Sequence, residues 1–415
     1  MTFVVAYQCT ICHKVFSPDA RYTCDECGED GILDVIYDYE AMKTVVTKTY
    51  FKTQTRQDIF RYLPLMSVDA THIDKTLRVG MTPLYKAHHL EQKFNIDALY
   101  IKDEGVNPSA SLKDRASVVA VLKALEYDHQ TIACSSTGNA ASSLAAHAAR
   151  LGLKSVIFVP KRAPFGKLRQ MIAYGARVLQ VDGDYKAAYR LSKAAIDKYG
   201  WYNRNAAINP HMVEGKKTVA YELYEDLGYS VPDWVVVSVG DGCTIAGLYK
   251  GFYDLKMLGL INTVPKLLGV QSTGCNPFVT SFQTGHPLKE TEEDTLADSI
   301  AVGKPRNPVK GMNAVHASNG AFIEVSDQAI LASMRLLGKT EGLFGEPAGV
   351  TSLAGLIEAL SNNMIKQTDT VVLLMTGNGL KDPKNAEKAL GKPTIIPEAM
   401  DKLNNVLDES EDTDE

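Results

Sequence analysis

The stretch Trp234-Val-Val-Val-Ser-Val-Gly-Asp-Gly-Cys-Thr244 decides the fold class. It opens as a nearly unbroken apolar run, which suits a strand buried on both faces, and ends in glycines that feed a helix over residues 244–258. A strand of that kind belongs in a parallel sheet covered by helices. The same alternation recurs on both sides of it. Residues 98–102, 131–134, 155–160, 177–181, 267–271 and 370–375 read as strands, while 140–151, 185–198 and 348–360 read as helices. The class is therefore α/β, with strands and helices in alternation.

Length and composition bound the rest. The chain has 415 residues, which predicts two or three domains, and 45% hydrophobic with 22% charged residues is the mixture of a folded protein. A net charge of −5 argues against a nucleic-acid partner. No apolar run approaches the roughly 20 residues a membrane span needs, and no basic start precedes a long apolar run. A cytoplasmic protein without a membrane partner is the expectation. Residues 40–75 read as a polar, helix-prone connector, and the acidic end Leu407–Glu415 as a solvated, disordered tail.

Seven cysteines divide into two groups. Cys9-x2-Cys12 and Cys24-x2-Cys27 have the spacing of two thiolate knuckles closing on one structural Zn²⁺. Gly28 and Gly31 read as the turn residues of this module, Gly31–Tyr37 as its closing strand, and His13 as solvent-facing. Cys134, Cys243 and Cys275 are scattered and read as free thiols.

Four polar or glycine-rich segments follow predicted strands: Asn107–Arg115, Ser135–Asn139, Gly240–Thr244 and Thr376–Asp382. Ligands in open α/β sheets bind beyond the carboxyl ends of strands, so together these outline a pocket. Gly240-Asp-Gly-Cys-Thr244 has the composition of an anion cradle at a helix start; the plainer reading is a tight turn with a helix cap. It is not a G-x-G-x-x-G fingerprint, which disfavours a dinucleotide. Lys113 opens a predicted helix. A lysine there is ordinarily a solvated cation, but the helix start and the neighbouring Arg115 both disfavour its ammonium, as a Schiff-base lysine requires.

The order Asn-Pro-x-x-Ser-x-Lys-Asp-Arg, Ser-Ser-Thr-Gly-Asn, glycine-rich loop, Glu346-Pro-Ala and Thr-Gly-x-Gly-Leu-Lys-Asp, spread over residues 76–390, resembles the threonine synthase-like family. These are enzymes of the pyridoxal 5′-phosphate (PLP) fold-type-II, tryptophan synthase β-like group, and some carry an N-terminal zinc ribbon. The resemblance implies two open, twisted, mostly parallel sheet domains with the cofactor between them. It assigns 1–40 to the ribbon, 41–127 with 213–395 to a large cofactor-binding domain, 128–212 to a small domain and 396–415 to a C-terminal segment. It implies that Lys113 bears the cofactor, that Gly240, Asp241, Gly242, Cys243 and Thr244 cradle its phosphate, and that Asn139 faces its 3′-oxygen. Thr376 would face the ring nitrogen, and Ser136 and Thr137 would hold the substrate carboxylate. A homodimer in amino-acid biosynthesis acting on an amino acid or phosphoamino acid is implied, with O-phosphohomoserine and water going to threonine and phosphate.

The chain also departs from that pattern. Such synthases commonly show Asn-Pro-Tyr-Arg-x-Glu-Gly-Gln-Lys-Thr, whose arginine binds the substrate phosphate, whereas Asn209-Pro-His-Met-Val-Glu-Gly-Lys-Lys-Thr218 places Met212 there. Asn205-Ala206, Ala110, Leu112 and Asn378 also differ from the usual residues. Lys216, Lys217 or His211 are the cations able to compensate. The alternative reading is an ammonia-lyase or dehydratase of threonine, serine or diaminopropionate, or a β-replacement synthase. A non-enzymatic zinc-ribbon scaffold is the alternative from another class.

Overall fold

A computed structural model describes residues 2–163, 165–205, 208–400 and 403. Fourteen strands form three sheets among these residues. Strands β1 (Val4–Cys9), β2 (Val15–Phe16), β3 (Thr23–Cys24) and β4 (Gly28–Tyr37) make an antiparallel sheet in the order β2-β1-β4-β3. The largest sheet contains β5 (Leu84–Lys86), β6 (Ala98–Asp103), β11 (Trp234–Ser238), β12 (Lys266–Ser272), β13 (Ala321–Val325) and β14 (Thr370–Met375). Its order is β13-β12-β11-β14-β6-β5, parallel except for the edge strand β5. The remaining sheet is wholly parallel, β10-β7-β8-β9, built from β7 (Thr131–Ser135), β8 (Lys154–Pro160), β9 (Arg177–Val181) and β10 (Tyr202–Asn203). The expected α/β class is borne out. No helix among the described residues is long and apolar enough to cross a membrane.

The central strands are where the apolar runs put them, because Val235, Val236, Val237, Leu268, Val372 and Leu373 are covered from both faces. The sequence reading passed over β5 and β13. Both are edge strands, and β5 has three residues of which two are exposed, too short a run to show a period.

Two expectations need correction. The segment 40–75 is not a polar connector. It forms short helices, Tyr39–Lys43, Lys48–Thr53 and Ile59–Leu65, whose Met42, Phe51, Ile59, Tyr62 and Leu65 are wholly buried. Polar residues between these anchors mask a one-sided apolar face in composition. Gly31 is not a turn residue either. It lies inside β4, where a Cβ would come 2.6 Å from the Cβ of Cys27 and 2.8 Å from that of Cys24, so its role is close packing of the cysteine knuckle. Gly28, with φ of +63°, does turn the chain, and His13 is exposed as expected. The acidic end Leu407–Glu415 lies outside the described residues.

The cysteine-bearing sheet joins the main core. Tyr7, Leu33, Val35 and Tyr37 share one apolar cluster with Tyr221, Val235 and Phe252. Polar contacts add to it. Tyr7 Oη lies 3.0 Å from His211 Nε2, Tyr37 donates to Glu214, and Lys250 Nζ reaches Asp34 at 2.8 Å. The helix His211–Lys216 is thus held from the cysteine-rich side.

Candidate active site

The four segments singled out in the sequence all follow carboxyl ends of parallel strands, and two of them, Asn107–Arg115 and Thr376–Asp382, are stitched together. Leu112 N donates to Thr376 O at 2.9 Å, Asn378 N donates to Ala110 O at 3.1 Å, and Ser111 bridges Gly377. Lys113 therefore starts its helix, Lys113–Glu126, with its backbone anchored to the last strand's loop. Ala110 sits at φ of +65°, a left-handed conformation costing an alanine about 1–2 kcal/mol. That strained turn is held by Asp114, whose carboxylate accepts from Ser109 N at 2.7 Å and meets His147 Nε2 at 2.9 Å.

Lys113 lies within electrostatic reach of Glu346, Arg204, Cys243 and Asp241, which brings the Gly240–Thr244 segment to the same place. Burial holds its ammonium below the usual range. Arg115 is not the cause, contrary to the expectation from its position. Its guanidinium is wholly buried in two carboxylates, with Nε 2.7 Å from Glu104 Oε2 and Nη1 2.5 Å from Glu222 Oε1. The cation that disfavours the Lys113 charge is Arg204, which sequence reasoning missed. No local pattern marks Arg204, because it reaches the site by the pairing of β10 with β7, Arg204 N donating to Ala133 O at 2.9 Å.

The helix Cys243–Met257 begins at Gly242, whose φ of +86° only glycine adopts freely, and no side chain caps that start. Asp241 also braces the loop from within. Its Oδ1 accepts from Arg306 N at 3.2 Å and its carbonyl from Asn307 N at 3.2 Å, so it shapes the loop. An uncapped helix start with small residues, facing an amine whose ammonium is disfavoured, fits a phosphate-bearing aldehyde such as PLP.

Asn139 opens the helix Asn139–Leu151, and its Nδ2 donates to Glu346 Oε1 at 2.7 Å. Glu346 is buried, and burial pushes its carboxyl up to about 7 against the opposing pull of Lys381, Lys113 and the Asn139 amide. Gly377 makes room for this pair, since a Cβ there would lie 2.5 Å from Glu346 Oε1. Glu346 stood in a quoted motif without a role; its long-range contact with Asn139 is what reveals one. Thr376 is buried at the end of β14, while Ser136 and Thr137 are half-buried, with Ser136 Oγ accepting from Gly138 N at 3.2 Å. A cleft of about 180 Å³ opens here, lined among others by Thr137, Asn139, Ser299, Glu346 and Lys381.

Among the compensating cations of residues 209–218, the structure separates one from the others. His211 lies between Tyr7 Oη and Ser67 Oγ, 3.0 and 2.8 Å away, and burial holds it well below the usual imidazole range. Lys217 pairs with Glu214 at 2.6 Å and Asp254 at 2.8 Å. Met212 is wholly buried in an apolar cluster with Ala116, Cys134 and Tyr202. Lys216 alone among them faces Cys243, Lys113, Arg204 and Asp241.

Away from this site, the Sγ atoms of Cys9, Cys12, Cys24 and Cys27 lie within 4.8 Å of one another, with Cys12 and Cys24 at 3.6 Å. A regular tetrahedron with metal–sulfur bonds of about 2.3 Å has sulfur edges of ~3.8 Å, so the donor set fits one zinc-sized ion.

Residues 75–377 match the family described as pyridoxal-phosphate dependent enzymes. The chain is 37% identical to the threonine synthase of Methanosarcina acetivorans over 404 residues, 96% of this chain and 98% of that protein. It is 38% identical to the threonine synthase of Methanocaldococcus jannaschii over 409 residues, 97% and 99% of the two chains. In structure it resembles diaminopropionate ammonia lyase from Escherichia coli, with a TM-score of 0.68 at 19% identity, covering 83% of this chain and 94% of that one.

Proposed function

The chain belongs to the pyridoxal-phosphate dependent enzyme family, on its threonine synthase side, and from that premise we propose that it converts O-phosphohomoserine and water to threonine and phosphate. The observation that carries the reading is the convergence of Lys113, the uncapped helix start after Gly242, Asn139 and Thr376 at one end of the sheets. PLP, when bound, supplies an electron sink that acidifies the carbons next to the amino group. Everything else falls to side chains of this protein.

Lys113 is the base and acid. Because burial disfavours its ammonium, the neutral amine is easier to reach than for a solvated lysine, and it can take a proton from Cα and return one to a neighbouring carbon. Gly240–Thr244 would hold the cofactor phosphate, and Asn139, steadied by Glu346, would hold the 3′-oxygen. Thr376 offers a hydroxyl to the ring nitrogen, which does not force that nitrogen to be protonated. The half-buried Ser136 and Thr137, next to the helix start at Asn139, orient the substrate carboxylate. In this reading residues 41–127 with 213–395 form the large domain and 128–212 the small one, with the reaction between them.

The purified enzyme supplied with PLP should release inorganic phosphate and threonine from O-phosphohomoserine. Ammonia and a 2-oxo acid from threonine, serine or diaminopropionate, without phosphate release, would give the reaction to the ammonia-lyase alternative. The burial of Met212 in an apolar cluster is the observation that keeps this second reading in view.

We further propose that Cys9, Cys12, Cys24 and Cys27 hold one structural Zn²⁺ as thiolates. All four donors come from the protein, which leaves no open position for chemistry. Metal analysis should find about one equivalent of zinc per chain. Cys24→Ser should lower the zinc content and the melting temperature together, since Cys24 and Cys9 lie in the same core cluster as Tyr221 and Val235. A metal-free protein with unchanged melting temperature would reject the site.

A further inference from the structure

Two buried cations beside Lys113 lack carboxylate partners among the described residues. Arg204, 1% exposed, has as its side-chain partner among the described residues the hydroxyl of Ser117, 2.9 Å from Nη2 and 3.2 Å from Nε. Ser117 stands one helical turn beyond Lys113, on the same helix face. Lys216, 2% exposed, has no hydrogen bond or ion pair among the described residues. The other buried cations nearby do have partners. Arg115 is gripped by Glu104 and Glu222, Lys102 by Glu222 and Asp226, Lys217 by Glu214 and Asp254, and Lys250 by Asp34.

Glycines explain how Lys216 comes to this position. A Cβ on Gly215 would strike the carbonyl oxygen of Arg115 at 2.0 Å, so the helix His211–Lys216 lies directly against the start of the Lys113 helix. On its other side, a Cβ on Gly247 would lie 2.8 Å from the Cβ of Lys216, one turn into the helix that begins at Cys243. Lys216 is thereby wedged between the start of the Lys113 helix and the start of the cradle helix. Its ammonium is held down to about 8, first by burial and then by Lys113 and Arg204, with Cys243 and Asp241 opposing. Burying unpaired cations side by side is unfavourable, and an arriving dianion would relieve it.

We propose that Arg204 and Lys216 together anchor the phosphate group of the substrate, in place of the arginine that the family pattern commonly shows where this chain has Met212. The inference rests on the phosphoamino-acid reading of the function. The cofactor's own phosphate is met by backbone N–H groups at the cradle, while Arg204 supplies planar, directional donors and Lys216 a point charge to the second phosphate. This also explains why apolar Met212 is tolerated: the charge has moved from the first turn of the helix to its end and to the residue that follows β10.

The test uses the PLP-loaded enzyme and three variants: Lys216→Gln, Arg204→Gln and the charge-conserving Arg204→Lys. Each is assayed for kcat and KM with O-phosphohomoserine, for competitive inhibition by inorganic phosphate, and for PLP affinity after cofactor stripping. The expected result is a KM, and an inhibition constant for phosphate, raised about ten- to a hundredfold in both glutamine variants. PLP affinity should stay within about twofold of the parent, and Arg204→Lys should recover part of the loss. If the glutamine variants instead lose PLP affinity with KM unchanged, the cations serve the cofactor phosphate and the proposal is overturned. An unchanged KM and phosphate inhibition overturn it equally. Should the parent enzyme release no phosphate from O-phosphohomoserine, the proposed reaction fails. Phosphate protection then still decides the site: binding of inorganic phosphate to the parent holoenzyme, lost in Lys216→Gln, supports the anchor, and no binding sinks it. If Arg204→Gln does not fold, Lys216→Gln and Arg204→Lys carry the same readouts.

Discussion

Lys113→Ala is expected to abolish turnover, with kcat falling by at least about a thousandfold. Two losses combine in that one change: the covalent tether to PLP and the group that moves protons at the substrate carbons. No hydrogen bond or ion pair of the Lys113 side chain supports the fold among the described residues, and the residue stands at the first position of its helix. The variant should therefore purify as a folded protein with nearly the parent melting temperature. Its absorbance near the visible edge, due to the lysine-bound cofactor, should be missing. Borohydride reduction of the parent followed by peptide mapping should put the pyridoxyl group on Lys113. A label on Lys216, the other buried lysine of the site, would reassign the cofactor, and full activity in Lys113→Ala would remove the proposed chemistry altogether.

Arg115→Ala is expected to have the largest effect on stability. Arg115, Glu104 and Glu222 are all at 0% side-chain exposure, and the guanidinium also meets Thr218 Oγ1 at 2.9 Å. Deleting the cation leaves two carboxylates buried, one of which, Glu222, keeps Lys102 at 2.9 Å as its remaining cationic partner. Breaking a buried pair in this way costs about 3–5 kcal/mol. Chemical denaturation should show that loss, or the variant should accumulate as insoluble protein. Arg115→Lys should rescue only part of it, because one ammonium cannot satisfy two carboxylates as a five-donor fork does. A variant within about 1 kcal/mol of the parent would mean that water or Lys102 compensates, and that this network is not what holds the Lys113 helix to the helix Thr218–Asp226.

The contrast between Arg115 and Arg204 separates what could be read from residue order from what could not. Arg115 stands two positions after Lys113, and that proximity suggested an electrostatic role; yet its partners are Glu104 and Glu222, the second 107 residues away. Arg204 stands far from any motif and takes that role, because β10 pairs with β7 and carries it to the Lys113 helix. Lys216 and Lys217 are adjacent and chemically the same. One is used up by Glu214 and Asp254 while the other faces the cradle, since neighbouring residues on a helix point about 100° apart.

By itself the sequence determined the α/β class, the boundaries of its central strands, the position of Lys113 at a helix start, the glycine loop after Val239 and the four-cysteine knuckle. Each of these depends on near neighbours: apolar runs too long for one-sided burial, glycine where φ must be positive, and paired cysteines two residues apart. Only the tertiary structure decided which charges are neutralised and which remain for a ligand, that residues 40–75 carry core anchors, that Gly31 is a packing residue, and that Glu346 holds Asn139. The physical reason is the range of the interaction. Backbone preference and periodicity act over a few residues, whereas the state of a buried charge is set by whichever distant group the fold brings within about 3 Å of it.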